Sequence, residues 1–356
     1  MIDWTRSMQQ TYEFYTVDPD SWGDKERIDT IESCNIVRDA SVDTLGSASF
    51  NCSEIINEQY VRVYLRVKQG EENDRPCLGT FLTQTPSDKF NGKRNDISLD
   101  GYTPLIELKQ DYPTLGYTVR KNTPIMNTVY RLCSEHMRAP VLEAKNDKTL
   151  YNHFVANTDD TWFSYVSDLM ANANFSFGLE PEGRVIFEPQ IELSSMRPVW
   201  EFNDGNSSIL HPEITNESDL FAVPNVVEVI YSTDNEIYTA IAVNDDPNSI
   251  TSTVSRGHIV KHRDTSPKMS ENMSGANAQA YLDAYAERLL RNLSNVEHEL
   301  TYSHGYCPVR LGDCVLLNYE KAGLRNVRAR VIRQEIGCET GCTVSETAIY
   351  TTQLWR

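Results

Sequence analysis

The sequence predicts a mainly β protein with an α+β insertion in its middle third. Short strand patterns bounded by turn residues fill residues 1–100, two helical patterns interrupt them in residues 101–195, and strand patterns return in residues 196–356. A region of about 100 residues with about five to seven short strands has the dimensions of a small antiparallel barrel. We therefore expect two small antiparallel β-barrels separated by a helical and mixed middle domain.

Residues 1–100 are predicted to form the first barrel. The clearest strand is Tyr60–Val67, YVRVYLRV, in which apolar residues alternate with Arg62 and Arg66. A polar turn separates this strand from Leu78–Gln84, so the two segments predict a hairpin. The alternation places the two arginines on the face opposite to the apolar residues.

Residues 101–195 are predicted to form the middle domain. Pro124 stands at the first position of a helix, where its missing N–H leaves no hydrogen bond unmade. A second helix begins at Thr161 and leads into a hairpin whose turn is Glu180–Gly183. Helices followed by a hairpin indicate a mixed α+β fold in this region.

Residues 196–356 are predicted to form the second barrel, with a helix at residues 276–295 packed across one end. Val226–Tyr231 and Tyr238–Val243 have the composition of paired strands. In the helix, apolar residues recur at spacings of three and four, which indicates one buried face. The strands that follow the helix end in a long hairpin, and nothing in this part of the sequence resembles a reaction centre.

The chain is strongly acidic. Its 356 residues include 33 lysines and arginines against 51 aspartates and glutamates, for a net charge of −18. Tight binding to nucleic acid needs clustered basic residues and is therefore not expected, whereas a carboxylate-lined pore would repel phosphates and let DNA pass without binding. No apolar run reaches the about 18 residues that a membrane span needs, and the N-terminal MIDWTRSMQQ lacks the apolar core of a secretory signal.

Two sets of side chains have some features of a zinc site. Four cysteines fall in the C-terminal strands: Cys307, Cys314, Cys338 and Cys342. They lack the CxxC spacing of zinc sites, so buried reduced thiols are the preferred interpretation, with metal binding left open. His258 and His262 have the spacing of two helical ligands, but their segment favours a strand and lacks the accompanying glutamate. The sequence therefore predicts no metal and no cofactor.

Four pairs of carboxylates have the residue types that a glycosidase uses, and all lie among turn residues: Asp18/Asp20, Asp159/Asp160, Glu180/Glu182 and Asp245/Asp246. Solvated turns are the preferred interpretation. No nucleophile elbow, HExxH, GxGxxG or P-loop motif occurs. We therefore assign no catalytic residue and expect no enzyme activity. The alternatives are a cell-wall hydrolase that uses Glu180 or Glu182, and a glycan-binding module. The latter would present Trp22 or Trp200 to sugars.

Two strands, Tyr60–Val67 and Asn326–Ile336, carry arginines on one face and apolar residues on the other. A solvated sheet face explains this pattern. A face that meets neighbouring subunits explains it too, because arginine would pair there with the abundant carboxylates. The sequence leaves both interpretations open.

Five features follow one another along the chain. They are DWT near the N-terminus, the strand-rich first third, WFSYVSDLMANANFSFGLEPEGRVIFEP, LFAVPNVVEVIYS and AERLLRNLSNVEHELTYSHGYCPVRLGDCVLL. In order and character they resemble the baseplate hub or tail-tip hub proteins of tailed bacteriophages and of phage-like contractile particles. The resemblance covers most of the chain, and its most specific pieces are Val223–Val227 and the corner from Pro308 to Val315.

The resemblance implies a structural virion protein, namely a homotrimeric hub that adapts the hexameric tail tube to the threefold tip. Its paired barrels would form a pseudo-sixfold ring around the channel for the tape measure protein and then for DNA during ejection. The implied partners are the tail tube protein, distal tail or baseplate proteins, the tape measure protein and a central spike or fibre. The implied location is the tail tip of the virion after assembly in the host cytoplasm. Some members of this family continue into lytic or spike domains; because this sequence ends at Arg356, just after its last strand, none is expected.

Overall fold

The computed structural model describes residues 2–90, 92–93, 95–221, 223–232, 236–265 and 275–353. The fold is mainly β with a mixed α+β insertion, which confirms the predicted fold class. Among the described residues, no helix combines the length and the apolar character needed to cross a bilayer.

Strands alone make up the first region: β1 (Gln9–Val17), β2 (Asp24–Arg27), β3 (Ile31–Asp39), β4 (Gly46–Cys52), β5 (Tyr60–Gln69), β6 (Glu72–Asp74), β7 (Cys77–Phe90) and β8 (Asn95–Tyr102). The insertion combines helices with short strands: α1 (Ile106–Gln110), β9 (Thr118–Val119), α2 (Ile125–His136), β10 (Phe154–Val155), α3 (Trp162–Ala171), β11 (Phe175–Leu179) and β12 (Val185–Pro189). The last region is again rich in strands: β13 (Trp200–Asn203), β14 (Leu210–Ser218), β15 (Val226–Ser232), β16 (Ile237–Val243), α4 (Thr253–Arg256), β17 (Lys261–Asp264), α5 (Gly275–Leu293), β18 (Asn295–Gly305), β19 (Cys314–Tyr319), β20 (Leu324–Gly337) and β21 (Thr343–Gln353).

Strands of the first and last regions belong to one sheet. Its order is β14-β18-β21-β20-β3-β4-β8-β7-β5-β1-β2, and β6, β13 and β19 pair at its sides. The link between the two regions is the antiparallel pair of β3 and β20, in which Ile36 lies opposite Ile336. We call this pair the seam. The described hydrogen-bonded pairs form an open path, and no described pair closes either region into a barrel.

One hydrophobic core spans the seam. Phe14, Phe50 and Val63 from the first region are buried together with Ile336 and Val344 from the last region. Alternation along β5 produces this burial, because every second side chain points to the same side of the strand. The hairpin predicted from the sequence is confirmed as the antiparallel pair of β5 and β7.

The insertion has a core of its own, built by the apolar faces of α2 and α3. Pro124 is the residue before α2, and Thr161 is the N-cap of α3, close to the predicted helix starts. Thr161 and Ser164 form a capping box: the Thr161 hydroxyl accepts from the Ser164 N–H at 3.2 Å, and the Ser164 hydroxyl accepts from the Thr161 N–H at 3.0 Å. Tyr165 is fully buried in this core, and its hydroxyl donates to the carbonyl of Phe154 at 2.9 Å.

The chain divides into two compact units. One comprises the described residues of Met1–Ile214 and Thr301–Ala348, and the other those of Thr215–Leu300 and Ile349–Arg356. The second unit contains the three-stranded sheet β16-β15-β17, with α5 packed on β15 and β16. The sequence predicts this helix across one end of a barrel. In the structure its apolar face packs instead against the three-stranded sheet.

Candidate functional site

The side chain of Arg62 on β5 is a buried clamp in the first unit. Only 5% of the residue is exposed. Its Nε donates to the Thr80 hydroxyl at 3.0 Å and one Nη donates to the Asp24 carboxylate at 2.9 Å. The other Nη donates to the carbonyls of Trp22 at 3.1 Å and Glu182 at 2.9 Å. Arg62 therefore lies neither on a solvated face nor on a free subunit contact, which corrects both sequence interpretations for this residue.

The partner of this clamp is the turn of the insertion hairpin β11–β12. The carbonyl of Pro181 accepts from the Thr80 hydroxyl at 3.1 Å, and the carbonyl of Glu182 accepts from the Trp22 indole at 2.8 Å. Gly183 has a φ of +80°, and a Cβ there would lie 2.8 Å from the Thr80 side chain, so only glycine fits. The turn thus docks on the first strands through its backbone.

These contacts also correct the expectation that Trp22 is exposed. Trp22 is only 8% exposed, because it packs edge-on against Tyr60 at 4.8 Å, so it is not an exposed sugar platform. Glu182 contributes its backbone carbonyl to the clamp, and the Glu180 carboxylate lies 3.7 Å from Arg184. Trp200, on β13, is half-buried.

A second polar cluster, fully buried, lies beside the seam and centres on Glu346 of β21. The side chains of Glu346 and His304 have no solvent exposure, and His304 Nε2 lies 3.2 Å from Glu346 Oε1 without the alignment of a hydrogen bond. The Tyr302 hydroxyl donates to Glu346 Oε2 at 2.8 Å, and the Gln334 amide donates to Oε1. Burial, followed by the neighbouring carboxylate, raises the pKa of Tyr302 well above its ordinary value. Sequence reasoning missed this cluster, because its members lie on three strands far apart in the chain.

The same cluster reaches across the seam through Gln334. The side-chain Oε1 of Gln334 accepts from Arg38 of β3 at 2.8 Å, and its side-chain Nε2 also donates to the backbone carbonyl of Val309 at 3.0 Å. Arg38 in turn donates to the carbonyl of Leu78 at 2.7 Å. Five strands (β18, β21, β20, β3 and β7) and the corner at Val309 are therefore held by one chain of hydrogen bonds.

A cavity of about 530 Å³ lies in the first unit between the insertion hairpin and the seam. Its walls are mixed, with Phe81 and Phe177 among the apolar residues and the carboxyl groups of Glu188 and Asp313 among the polar ones. Glu188 is exposed overall, and partial desolvation at the cavity wall, followed by the charge of Asp313, raises the pKa of its carboxyl. Burial also raises the pKa of Asp313, although its carboxylate accepts from the backbone N–H of Arg310 at 2.8 Å. Within the described residues, no three metal-ligating side chains come together here or elsewhere.

The other carboxylate pairs lie in turns. Asp18 accepts from the N–H of Asp20 at 3.2 Å and from the Ser21 hydroxyl at 2.8 Å, and the Ser21 bond is the larger cause that lowers the pKa of Asp18. Asp160 accepts from the Asn157 N–H at 2.7 Å, close to its neighbour Asp159. In the pair Asp245/Asp246, Asp246 accepts from the N–H of Asn248, two residues further on, at 2.9 Å, as Asp18 does from Asp20.

The residues considered for zinc are separated. His262 lies on β17 and is exposed, whereas His258 precedes that strand and contacts the carbonyl of Arg256 at 3.1 Å. The eight cysteines are all buried and unbridged. Cys338 and Cys342 lie in the core that spans the seam. The other two of the four C-terminal cysteines lie outside this core cluster. Cys307 Sγ lies 3.8 Å from His304 Nδ1, and Cys314 Sγ contacts the carbonyl of Val315.

The arginines of β20 are used within the chain. Arg328 donates to the carbonyl of Ser194 at 3.3 Å, and Arg330 donates to the carbonyl of Ile191. On β5, Arg66 lies 3.3 Å from Glu13, whose side chain is 9% exposed. The arginine faces noted in the sequence thus hold neighbouring segments of the same chain.

No protein-family model matches the chain, and no curated protein matches it in sequence. Solved structures do match it in fold, and two of them are phage tail proteins. The tail protein from Neisseria meningitidis MC58 superposes with a TM-score of 0.63 at 14% identity, covering 97% of this chain and 98% of that one. The prophage MuSo2 43 kDa tail protein from Shewanella oneidensis has a TM-score of 0.59 at 11% identity, covering 95% and 97%.

A third match is the PdpA–VgrG complex, with a TM-score of 0.55 at 7% identity, covering 97% of this chain and 65% of that one. The chain therefore has the fold of phage tail proteins. This finding confirms, at the level of the fold, the tail-hub resemblance noted in the sequence.

Proposed function

We propose that this chain is a structural protein of a phage or phage-like tail that acts as a homotrimeric hub without catalysis. The observation that carries the proposal is the likeness to a tail protein over nearly the full length of both chains, at a TM-score of 0.63. The hub would adapt the hexameric tail tube to the threefold tip. It would surround the channel through which the tape measure protein and then DNA leave.

Two features of the chain support this role. Its two β-rich regions, residues 1–100 and 196–356, would each supply one small barrel, so that a trimer presents a pseudo-sixfold ring. Its net charge of −18 suits a channel wall that lets DNA pass without holding it. The partners of the proposed hub are the tail tube protein, distal tail or baseplate proteins, the tape measure protein and a central spike or fibre. Its place is the virion tail tip after assembly in the host cytoplasm.

Light scattering coupled to gel filtration, followed by negative-stain class averages along the particle axis, tests the proposal. We expect a trimer with a ring of pseudo-sixfold outline and an axial hole. A protein that stays monomeric at every concentration and is absent from assembled tails would contradict the proposal. Zymography on bacterial cell wall provides the parallel test of catalysis, and clearing that disappears in Glu182→Gln would overturn the non-enzymatic role.

A further inference from the structure

Two buried cysteines face each other at the end of the seam. In the register of β3 and β20, Gly337 lies opposite Asn35, so the next residues, Cys338 and Cys34, are opposite each other as well. The N–H of Cys338 donates to the carbonyl of Cys34 at 2.9 Å, as such a pair requires. Side chains that lie directly opposite in an antiparallel pair are neighbours on one face of the sheet. The fold therefore brings together two thiols that are far apart in the chain.

Both thiols lie on the buried face of the sheet. Cys34 is 4% exposed, Cys338 is 6% exposed, and both belong to the core that spans the seam. Burial, and then the hydrogen bond with the Cys338 thiol, raises the pKa of Cys34 well above its ordinary value. A third thiol of the same core, that of Cys342, contacts the Tyr12 hydroxyl instead. The contact between Cys34 and Cys338 agrees with the register of their strands.

The backbone spacing of this pair suits a disulfide bond. Opposite residues joined by ladder hydrogen bonds have Cα atoms about 5.5 Å apart, within the roughly 4.4–6.8 Å that disulfides span. Their Cβ atoms are about 4.5–5.5 Å apart and must approach to about 4 Å, so closing the bond needs a shift of about 1 Å. A bond closed with such a shift is easier to reduce than a relaxed one, which makes its formation reversible.

The position of the pair gives a small reagent a route to it. Cys338 is the first residue after β20, so the pair is the last rung of the seam. The ends of a ladder open at a lower free-energy cost than its middle. Because both thiols are buried, we expect a slow reaction that waits for this opening.

We propose that Cys34 and Cys338 are a reversible redox pair, which closes a disulfide across the seam on reaction with a small-molecule disulfide. The thiolate of one cysteine attacks the reagent, releases half of it as a thiol and leaves a mixed disulfide on the chain. The second cysteine then displaces the other half. One S–S bond breaks and one forms, and both cysteine protons leave on the two released thiols. This chemistry does not require the proposed trimer.

The consequence is a covalent tie between the first and last β-rich regions that depends on the surroundings. The glutathione of the cytosol keeps such thiols reduced, whereas oxidising surroundings let the disulfide persist. Oxidation would therefore lock the end of the seam, and reduction would release it.

The first test incubates the reduced full chain with oxidised glutathione for hours and then counts free thiols after acid quenching and denaturation. We expect eight before oxidation and two fewer after it. Trypsin without reductant should leave residues 28–38, with Cys34, joined to residues 334–356, with Cys338 and Cys342. A bond between Cys338 and Cys342 would stay within the second peptide. That internal bond, glutathione adducts without a cross-link, or eight free thiols after oxidation would each overturn the inference.

Matched variants identify the second cysteine of the cross-link. Cys338→Ser should abolish the link to the peptide of Cys34. Cys342→Ser changes a neighbouring buried thiol of the same core and should leave the link intact. The opposite result would assign the bond to Cys342 and refute the pair.

A second measurement uses only the wild-type chain and so does not depend on how the variants fold. The equilibrium constant for closing the bond between Cys34 and Cys338 is measured in glutathione buffers, in the native chain and in the chain unfolded by urea. We expect it to be at least about 10-fold larger in the native chain, because the unfolded chain must first close a long loop. Equal constants would show that the fold does not hold the two thiols at bonding distance.

Discussion

The buried clamp at Arg62 allows a quantitative prediction. Arg62→Ala removes the hydrogen bonds to Thr80, Asp24, Trp22 and Glu182. The carbonyl of Glu182 keeps the Trp22 indole, Thr80 keeps Pro181, and the Asp24 carboxylate keeps the Tyr64 hydroxyl at 2.9 Å, so the loss falls mainly on the buried Trp22 carbonyl. A hydrogen bond to a charged group contributes about 1.5–3 kcal/mol. We therefore expect a loss of about 1.5–3 kcal/mol in the first unit.

Hydrogen exchange read by mass spectrometry is the assay, because the chain has two compact units and global unfolding need not be two-state. Peptides that contain the turn Glu180–Gly183 should exchange faster in Arg62→Ala than in the wild type. Arg62→Lys should lie between the two, since a single ammonium group cannot reach all four acceptors.

Arg66→Ala is the matched control, because Arg66 is on the same strand but its side chain is 59% exposed beside Glu13. Its loss should cost less than about 1 kcal/mol. If Arg62→Ala and Arg66→Ala change exchange of the turn equally, the clamp does not hold the insertion and the reasoning from burial is wrong.

Three further predictions concern the cluster beside the seam, the cavity and the buried cysteines. Glu346→Ala leaves the buried Tyr302 hydroxyl without its acceptor, while the Gln334 amide keeps the Val309 carbonyl, and should lower the free energy of unfolding in urea by about 1–3 kcal/mol. Glu335→Ala, which removes a side chain that is 42% exposed, should change it by less than about 1 kcal/mol. The pKa of Glu188 is raised above its unfolded value, so wild-type stability falls as pH rises from the unfolded pKa, about 4.3, through the folded one. Glu188→Gln should therefore be more stable than the wild type at neutral pH by less than about 1 kcal/mol, and the difference should vanish near pH 4; a constant difference would contradict this. The eight buried thiols should resist a soluble disulfide reagent in the native protein and react fully in denaturant, and rapid native reaction would contradict their burial.

Local patterns in the sequence identified the elements well. The alternation in Tyr60–Val67 and the helix starts near Pro124 and Thr161 are confirmed, because each depends on residues adjacent in the chain. Alternation also separates Arg62 from the apolar face correctly. It does not reveal whether the second face is solvated, because the covering turn at Glu180–Gly183 comes from a distant part of the chain.

Contacts between distant segments could not be predicted from the sequence. The cluster around Glu346 joins residues that do not stand out in the sequence of their own strands. Tyr302 and His304 are two positions apart on β18, as expected for side chains on one face of any strand, and Gln334 is one polar residue beside the arginines of β20. Only the pairing of the strands makes them neighbours. The helix α5 was identified from its apolar periodicity, but periodicity gives the buried face and not the partner, which is the sheet of β15 and β16.

The seam explains why the first β-rich region and the strands within Thr301–Ala348 belong to one compact unit although they are far apart in sequence. β3 pairs with β20, so the edge of the first strands is completed by residues about 300 positions later, and Ile336 fills the same core as Phe50. Closing a loop of this length costs conformational entropy, although the cost grows only slowly with length. The buried bonds from Arg38 through Gln334 to Glu346 add strong, directional contacts where the two regions meet, and the docked insertion turn covers the adjacent face of β5. Both contacts lie within the compact unit of Met1–Ile214 and Thr301–Ala348, so they hold the distant segments of that unit together within a single chain.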